Sequence, residues 1–376
     1  MENVFLKNIT REIYNRRIGL DKTQKVFCRY ERVDGGVFAE VWFMTRGCKH
    51  DRDGGCTMCN YGKGYQVSDD EILGLIESKL AEINMPLKQL VISPSGSMFD
   101  EEEVSHYLRR EIFKLASKFE CEKFITETRA DTINFEKLTE MKQLIPHKNI
   151  AIELGLESAN PWVLKYCVNK NLNLEDFESA VRLIKQAGLQ VTANVSLGAP
   201  FMSEREQIED AVDSVKWALE MEVDTVVVFP IHVKPGTLVS YLYESGGYNC
   251  VSLWSLVQVL KEVEEKFKYR VQISWYKNYY DNPKKILLSP NTCDDCKEEV
   301  IHILDDYKNS CNTEIIDKLH HYNCHCKGDW GEKLKDSNEK HGNLIMMGYQ
   351  MLGETFGIDR DMVKQAYEEA LTELIK

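Results

Sequence analysis

Between residues 37 and 276, short apolar runs alternate with amphipathic ones, and this alternation leaves few architectures open. Strand-like runs lie at residues 38–45, 89–93, 123–128, 149–156, 190–197 and 225–231, with a last one at 271–276. They are rich in Val, Ile, Thr and Phe. The stretch from Thr225 to Phe229 is nearly continuous in apolar character, as expected of a strand buried on both faces. Helical patterns fill the gaps. Ser68, with Glu71 three residues on, predicts a capping box. Ile72, Leu75, Ile76, Leu80 and Ile83 follow at helical spacing, with Lys79 the polar exception. Further helices are predicted over 174–187, where Gly188 supplies the stop, and over 204–222, 253–267 and 359–376. Strand–helix repetition of this kind gives a parallel sheet with helices outside it. About six units fit before residue 285, fewer than the eight of a closed barrel. The expected fold class is therefore α/β, a partial (β/α)6 TIM-like barrel. It has an N-terminal extension (1–36), a core (37–285) and a Cys-rich C-terminal extension ending in a helix (286–376).

The net charge is −13, from 47 basic and 60 acidic residues. That disfavours a general nucleic-acid coat, which needs clustered Lys and Arg, but leaves room for a local basic patch. No apolar run approaches the ~20 residues of a membrane span. The first residues lack a basic stretch followed by a long apolar one, so a cytoplasmic location is expected. In that setting twelve cysteines point to metal or redox chemistry rather than disulfides. Cys28, Cys121, Cys167 and Cys250 are scattered and read as small buried hydrophobes.

The other eight form two groups. Cys48, Cys56 and Cys59 are spaced C-x7-C-x2-C in a Gly-rich loop just after the first strand. Three thiolates there can hold three irons of a [4Fe–4S] cluster and leave the fourth open. A structural zinc with His50 as fourth ligand is the alternative. Cys293, Cys296, Cys311, Cys324 and Cys326 form the second group, with His302, His320, His321 and His325 nearby. Together they over-supply a four-coordinate site. Structural zinc, a second iron–sulfur cluster, and cysteines left unligated or disulfide-linked are the three readings.

The loop from Arg46 to Tyr61, with its Gly-Gly-Cys56-Thr-Met-Cys59, resembles the cluster loop of radical S-adenosylmethionine (SAM) enzymes. It is most similar to the archaeosine-synthase type, within the group resembling the Elongator catalytic subunit. The seven-residue gap departs from the superfamily's usual three, and Met58 stands where many members carry an aromatic residue. Later segments resemble the family in order: Ser93 to Asp100, Thr126 to Asp131, Glu153 to Ser158, Phe229 to Val239, and Leu253-Trp-Ser255. The Cys324-His-Cys326 ending with Trp330 resembles the same proteins' tails.

The resemblance implies a barrel of the radical SAM type. Cys48, Cys56 and Cys59 would hold the cluster, which with SAM yields a 5′-deoxyadenosyl radical that takes hydrogen from the substrate. Ser95, Gly96 and Ser97 would lie near the SAM amino group, and Glu127 would accept a hydrogen bond from it. Arg182 would pair with the SAM carboxylate or else sit on a solvated helix face. Arg129 would be a further SAM contact or else a strand-end salt-bridge partner, and Gly198 would shape a turn near adenine. Glu157 would touch ribose or substrate, and His232 and Lys234 would face the substrate, each with a strand-end salt bridge as the alternative. In the archaeosine family the substrate is a tRNA base carrying a lysine adduct, and a C–N bond is cleaved. A small molecule or peptide is the second reading of the substrate, and a non-catalytic metal scaffold the reading from another class. An electron donor such as a reductase, flavodoxin or ferredoxin is implied, and no membrane.

Overall fold

Seven parallel strands and one antiparallel strand form a single curled sheet in the computed structural model. It describes residues 2–17, 24–33, 35–146, 148–280, 285–336 and 341–375. The strands are β1 (Val26–Val33), β2 (Gly36–Phe43), β3 (Leu87–Pro94), β4 (Cys121–Thr128), β5 (Asn149–Glu157), β6 (Gln190–Leu197), β7 (Thr225–Pro230) and β8 (Val271–Ile273). They lie side by side in chain order. Strands β2 to β8 are parallel, and β1 pairs antiparallel with β2. The result is an open half-barrel, as the repetition of units predicts.

The helices in chain order are α1 (Val4–Arg16), α2 (Lys49–Arg52), α3 (Asp69–Ala81), α4 (His106–Lys118) and α5 (Phe135–Leu144). Next come α6 (Pro161–Val163), α7 (Leu174–Gln186), α8 (Glu204–Glu220), α9 (Leu238–Glu244) and α10 (Leu253–Glu262). The chain ends with α11 (Lys297–Ser310), α12 (Thr313–His320), α13 (His325–Asp336), α14 (His341–Phe356) and α15 (Arg360–Leu374). None of the described helices is long and apolar enough to cross a membrane.

Period-two alternation decides what faces where. Val41, Phe43, Ile92, Phe124, Ile152, Leu154, Val191, Val195 and Val228 point outward into the core beneath the helices. Glu40, Lys123, Glu127, Glu153, Asn194 and Gln272 line the space enclosed by the sheet. The outer face is thus apolar, and the inner face mixes these polar groups with an apolar patch of Phe38, Val91, Ile125 and Ala151. Even in the apolar run of β7, Val226 and Val228 face the helices while Val227 and Phe229 face the lumen.

Several local expectations need correction. Strand β1 is additional: Arg29, Glu31 and Arg32 break its apolar pattern, although Gly35 and Gly36 mark the hairpin turn. Ser68 is the N-cap of α3, but its side chain makes no capping bond, so the predicted box does not form. The helix predicted over 253–267 stops at Glu262 and resumes as a 3-10 turn, Glu265–Arg270.

A second core joins the two ends of the chain beside the barrel, packing α1 against α9, α14 and α15. Its polar centre is Tyr349, which is fully buried. The Tyr349 hydroxyl accepts from Asn3 Nδ2 at 2.8 Å and donates to the Tyr166 carbonyl at 3.0 Å. Phe5 stacks on the Tyr349 ring with centroids 4.7 Å apart. Tyr349→Phe leaves both partners buried and unsatisfied, at a cost of about 1–3 kcal/mol. Denaturant unfolding should show that loss, whereas Val4→Ala, at an exposed position of α1, should leave the midpoint unchanged.

Candidate active site

The loop after β2 carries the first three thiols, and its extra length is built into the fold. Cys48 is the N-cap of α2, whose single turn takes up four of the seven intervening residues. Asp51 on that turn is buried, pairs with Arg17 from the end of α1, and accepts from the Gly62 amide at 2.5 Å. Arg17 also donates to the Cys59 carbonyl at 2.9 Å. Gly54 then reverses the chain at φ +102°, where a Cβ would collide with the Lys7 carbonyl. Beyond Cys56, the Thr57 amide is held by the Val168 carbonyl at 2.9 Å. The long gap is therefore a helical turn locked to the N-terminal helix.

Cys48, Cys56 and Cys59 all line one cavity of about 1380 Å³ that runs along the sheet's inner face. Among the described residues, their sulfurs do not gather within 4.8 Å of one another, and no such group includes His50. His50 Nε2 instead lies 2.9 Å from the Asn169 carbonyl. A single ion would draw its ligands together, whereas a cluster presents a different iron to each thiolate and needs them apart. Burial pushes all three thiols upward, Cys59 to about 12. Neutral thiols in such a site become thiolates when metal charge compensates them. The donor set thus fits a [4Fe–4S] cluster and argues against zinc with His50.

Around the thiols, Glu103 ties two loops together. Its carboxylate accepts from the Ser97 amide at 2.8 Å, the Lys49 amide at 3.2 Å and Arg129 at 2.8 Å. Gly96 lies against it so closely that a Cβ would collide with the carboxylate. Arg129 lines the cavity, and Asp100 and Asp131 also hold it. Ser97 is buried, 2.6 Å from the Thr128 hydroxyl, while the Ser95 amide donates to Phe43. Gly96 is the one member of that triplet on the cavity wall.

Glu127 and Glu153 are paired neighbours on β4 and β5, both facing the lumen. Burial, reinforced by Glu153 and Glu40, raises Glu127 well above the usual carboxylate range. Burial also pushes Glu153 up to about 7, with the Asn194 hydrogen bond opposing and Glu40 adding to the rise. Glu157, with φ +68°, pairs with Lys170 at 3.0 Å. Burial disfavours the charge on Lys170, but Glu157 outweighs it and keeps the ammonium ionised beside Cys56. Lys234 lines the cavity, donates to the Tyr61 hydroxyl at 3.2 Å and faces Cys59. His232 also lines it, but burial lowers it to about 4, and its ring is held by Ser289 and the Trp275 carbonyl.

Beyond Ser95 and Ser97, three more expected site residues lie elsewhere. Arg182 stands on the outer face of α7, 62% exposed, paired with Glu178 at 3.6 Å. The helical period turns it to solvent because Phe177, Ala180, Val181 and Ile184 take the inner face. Gly198, at φ +114°, ends β6 with its carbonyl bonded to Tyr248 and is not on the cavity wall. Cys311 caps α11 and does not join the other C-terminal cysteines. Sequence reasoning missed Glu103, Lys170, Arg17 and Asp51. Arg17 reaches Asp51 from 34 residues earlier, and Asp51, Glu103 and Lys170 lie near expected site residues in sequence but carry no spacing that marks their roles. Glu153 lay within a quoted segment, and its place on the lumen face could have been read from the strand period.

An open parallel barrel with three separated thiols at its head is the architecture of a radical SAM enzyme. No family model matches the chain. The archaeosine synthase β subunit of Thermococcus kodakarensis is 30% identical over 239 residues, 62% of this chain and 74% of that protein. The β subunit from Methanosarcina acetivorans is 26% identical over 321 residues, 81% of this chain and 87% of that protein. Among solved structures, archaeal Elp3 from Methanocaldococcus infernus, with its N-terminus deleted, gives a TM-score of 0.47 at 19% identity. That match covers 63% of this chain and spans 59% of the solved one. The chain belongs to the family of the archaeosine synthase β subunits.

Arg17→Ala should strand the buried Asp51 carboxylate and cost about 3–5 kcal/mol of stability. It should also lower iron retained per chain after anaerobic purification. Full iron content in a variant destabilised to that degree would show that the pair does not organise the cysteine loop.

Proposed function

We propose that this radical SAM enzyme acts on a tRNA base carrying a lysine adduct and cleaves a C–N bond in it. Family membership supports the chemistry, and the lumen supports the cationic substrate. The observation that carries it is the carboxylate pair Glu127 and Glu153 on adjacent strands. Cys48, Cys56 and Cys59 hold the [4Fe–4S] cluster, and Gly96 and Glu127 take the amino end of SAM. When bound, cluster and SAM supply one-electron cleavage of the sulfonium and hence a hydrogen-abstracting radical.

With Glu127 committed to one ammonium, Glu153 is left for a second. Of the other carboxylates on the cavity wall, Glu40 pairs with Arg29, Glu157 with Lys170 and Glu31 with Lys308. Lys123, the cation that faces Glu153, is itself disfavoured by burial. A lysine ammonium docking there restores the charge that burial suppresses on Glu153. Lys170, fixed by Glu157 beside Cys56, keeps positive charge next to the cluster ligands. Neutral His232 and charged Lys234 line the cavity near the end of β7 and would orient the base. Because the chain carries a net charge of −13, the grip on the RNA backbone falls to a partner subunit, as the name of the relatives suggests. A flavodoxin or ferredoxin supplies the electron.

The test compares reduced, anaerobic protein with SAM and three substrates: tRNA bearing the lysine adduct, the same tRNA without it, and a lysine-containing peptide. The adduct-bearing tRNA should raise 5′-deoxyadenosine and release a product base shortened at the C–N bond. Stimulation by the peptide alone would contradict the reading. Glu153→Gln should lower kcat/KM about ten- to a hundredfold, the equivalent of about 1.5–3 kcal/mol of charged hydrogen bonding. In the wild type kcat/KM should rise with pH through about 7, and the variant should lose that rise. Stability should move the other way. The folded-state value lies above the ordinary 4.5, so ionising Glu153 costs stability as pH climbs from 4.5 through about 7. The variant should therefore melt higher than the wild type at pH 8 and equally at pH 4.

A further inference from the structure

Outside the lumen, four cysteines of the C-terminal segment converge. Cys293, Cys296, Cys324 and Cys326 place their sulfurs within 4.8 Å of one another. Four edges of that group measure 3.6, 3.4, 3.6 and 3.5 Å, linking Cys293 to Cys296 and Cys324, and Cys326 to Cys296 and Cys324. All four are free thiols. We propose that they form a closed tetrathiolate site for one zinc ion.

Geometry separates this from a second iron–sulfur cluster. Four sulfurs around one ion at about 2.3 Å stand about 3.8 Å apart at tetrahedral angles. The observed edges are close to that, and slightly shorter. A [4Fe–4S] cluster gives each thiolate its own iron and pushes the sulfurs farther apart, as they are at Cys48, Cys56 and Cys59. With all four positions filled by sulfur there is no open coordination site, so the ion is structural rather than catalytic.

The surroundings suit an anionic zinc–thiolate centre. Cys296 immediately precedes α11 and Cys324 immediately precedes α13, so two helix N-termini face the group. The indole Nε1 of Trp254, on α10, donates to Cys326 Sγ at 3.3 Å. Trp330 of α13 donates to Ser255 of α10 at 2.9 Å. The ion would thus staple α11 and α13 to the outer wall of the barrel. The far end of α11 carries Lys308, which pairs with Glu31 of β1 at 2.6 Å and lines the lumen. Zinc therefore fixes a part of the cavity wall that the strands themselves leave open.

Metal analysis of anaerobically purified, cluster-loaded protein tests the site directly. The expected content is about one zinc and about four irons per chain. Cys324→Ser combined with Cys326→Ser should remove the zinc and keep the iron and its visible absorption. Cobalt supplied in place of zinc should give the d–d bands of tetrahedral thiolate coordination in the wild type, a reading that needs no variant. Iron near eight per chain, extra iron in place of zinc, protein without zinc, or zinc retained by the double variant would each overturn the proposal.

Discussion

Three half-buried thiols line the cavity where parallel strands end, and their protonation governs what the surrounding residues must do. Burial, with Glu103 beside Cys48 and Asp51 beside Cys59, favours the neutral thiols. Ligation demands thiolates, so the site needs positive charge close by. Lys170 stands beside Cys56, kept ionised by Glu157, and Lys234 stands beside Cys59, hydrogen-bonded to the Tyr61 phenol. Arg129 favours the Cys48 thiolate less than Glu103 opposes it, and Asp100, Glu103 and Asp131 pair with its guanidinium. Lys170 and Arg129 are therefore pre-paired with carboxylates, so neither is left as an uncompensated cation in the interior, while Lys234 meets the neutral Tyr61 phenol and faces Cys59.

The half-barrel makes this arrangement affordable in space. Its outer face is packed with aliphatic and aromatic side chains, and most of its burial comes from there. The inner face is then free to carry Glu40, Lys123, Glu127, Glu153 and Asn194. A closed barrel would fill that space with packed side chains. Here β1 and β8 are the unjoined edges of the sheet, and the interior stays a cavity. The C-terminal helices cover part of the gap: Tyr307 of α11 donates to the Val271 carbonyl at 2.8 Å, and Lys308 reaches Glu31.

The parts of this structure legible in sequence are those set by local period and spacing. Strand β6 falls at its predicted residues, and β4 and β5 start or end within two residues of theirs, because their apolar alternation is strong. The seven-residue cysteine gap was visible, but its helical turn was not, since Asp51 is held by Arg17 from another element. Strand β1 hid behind alternating charges that an edge strand tolerates. Arg182 and Cys311 show the opposite failure. Residue type and chain position suggested a role, but Arg182 took its alternative place on a solvated helix face, and a helix cap drew Cys311 away. Whether a side chain faces the lumen depends on the period of its own strand and could be read. Which distant residues neutralise it depends on tertiary packing and could not.

The most direct measurement is 5′-deoxyadenosine formation from SAM by anaerobic, dithionite-reduced protein, beside the variant with Cys48, Cys56 and Cys59 all changed to Ala. The wild type is expected to bind iron with the absorption of a [4Fe–4S] cluster and to form 5′-deoxyadenosine in the presence of adduct-bearing tRNA. The variant is expected to do neither. A wild-type protein that carries a full, reduced cluster yet neither binds nor cleaves SAM with that tRNA present would contradict the assignment of these three cysteines to radical chemistry.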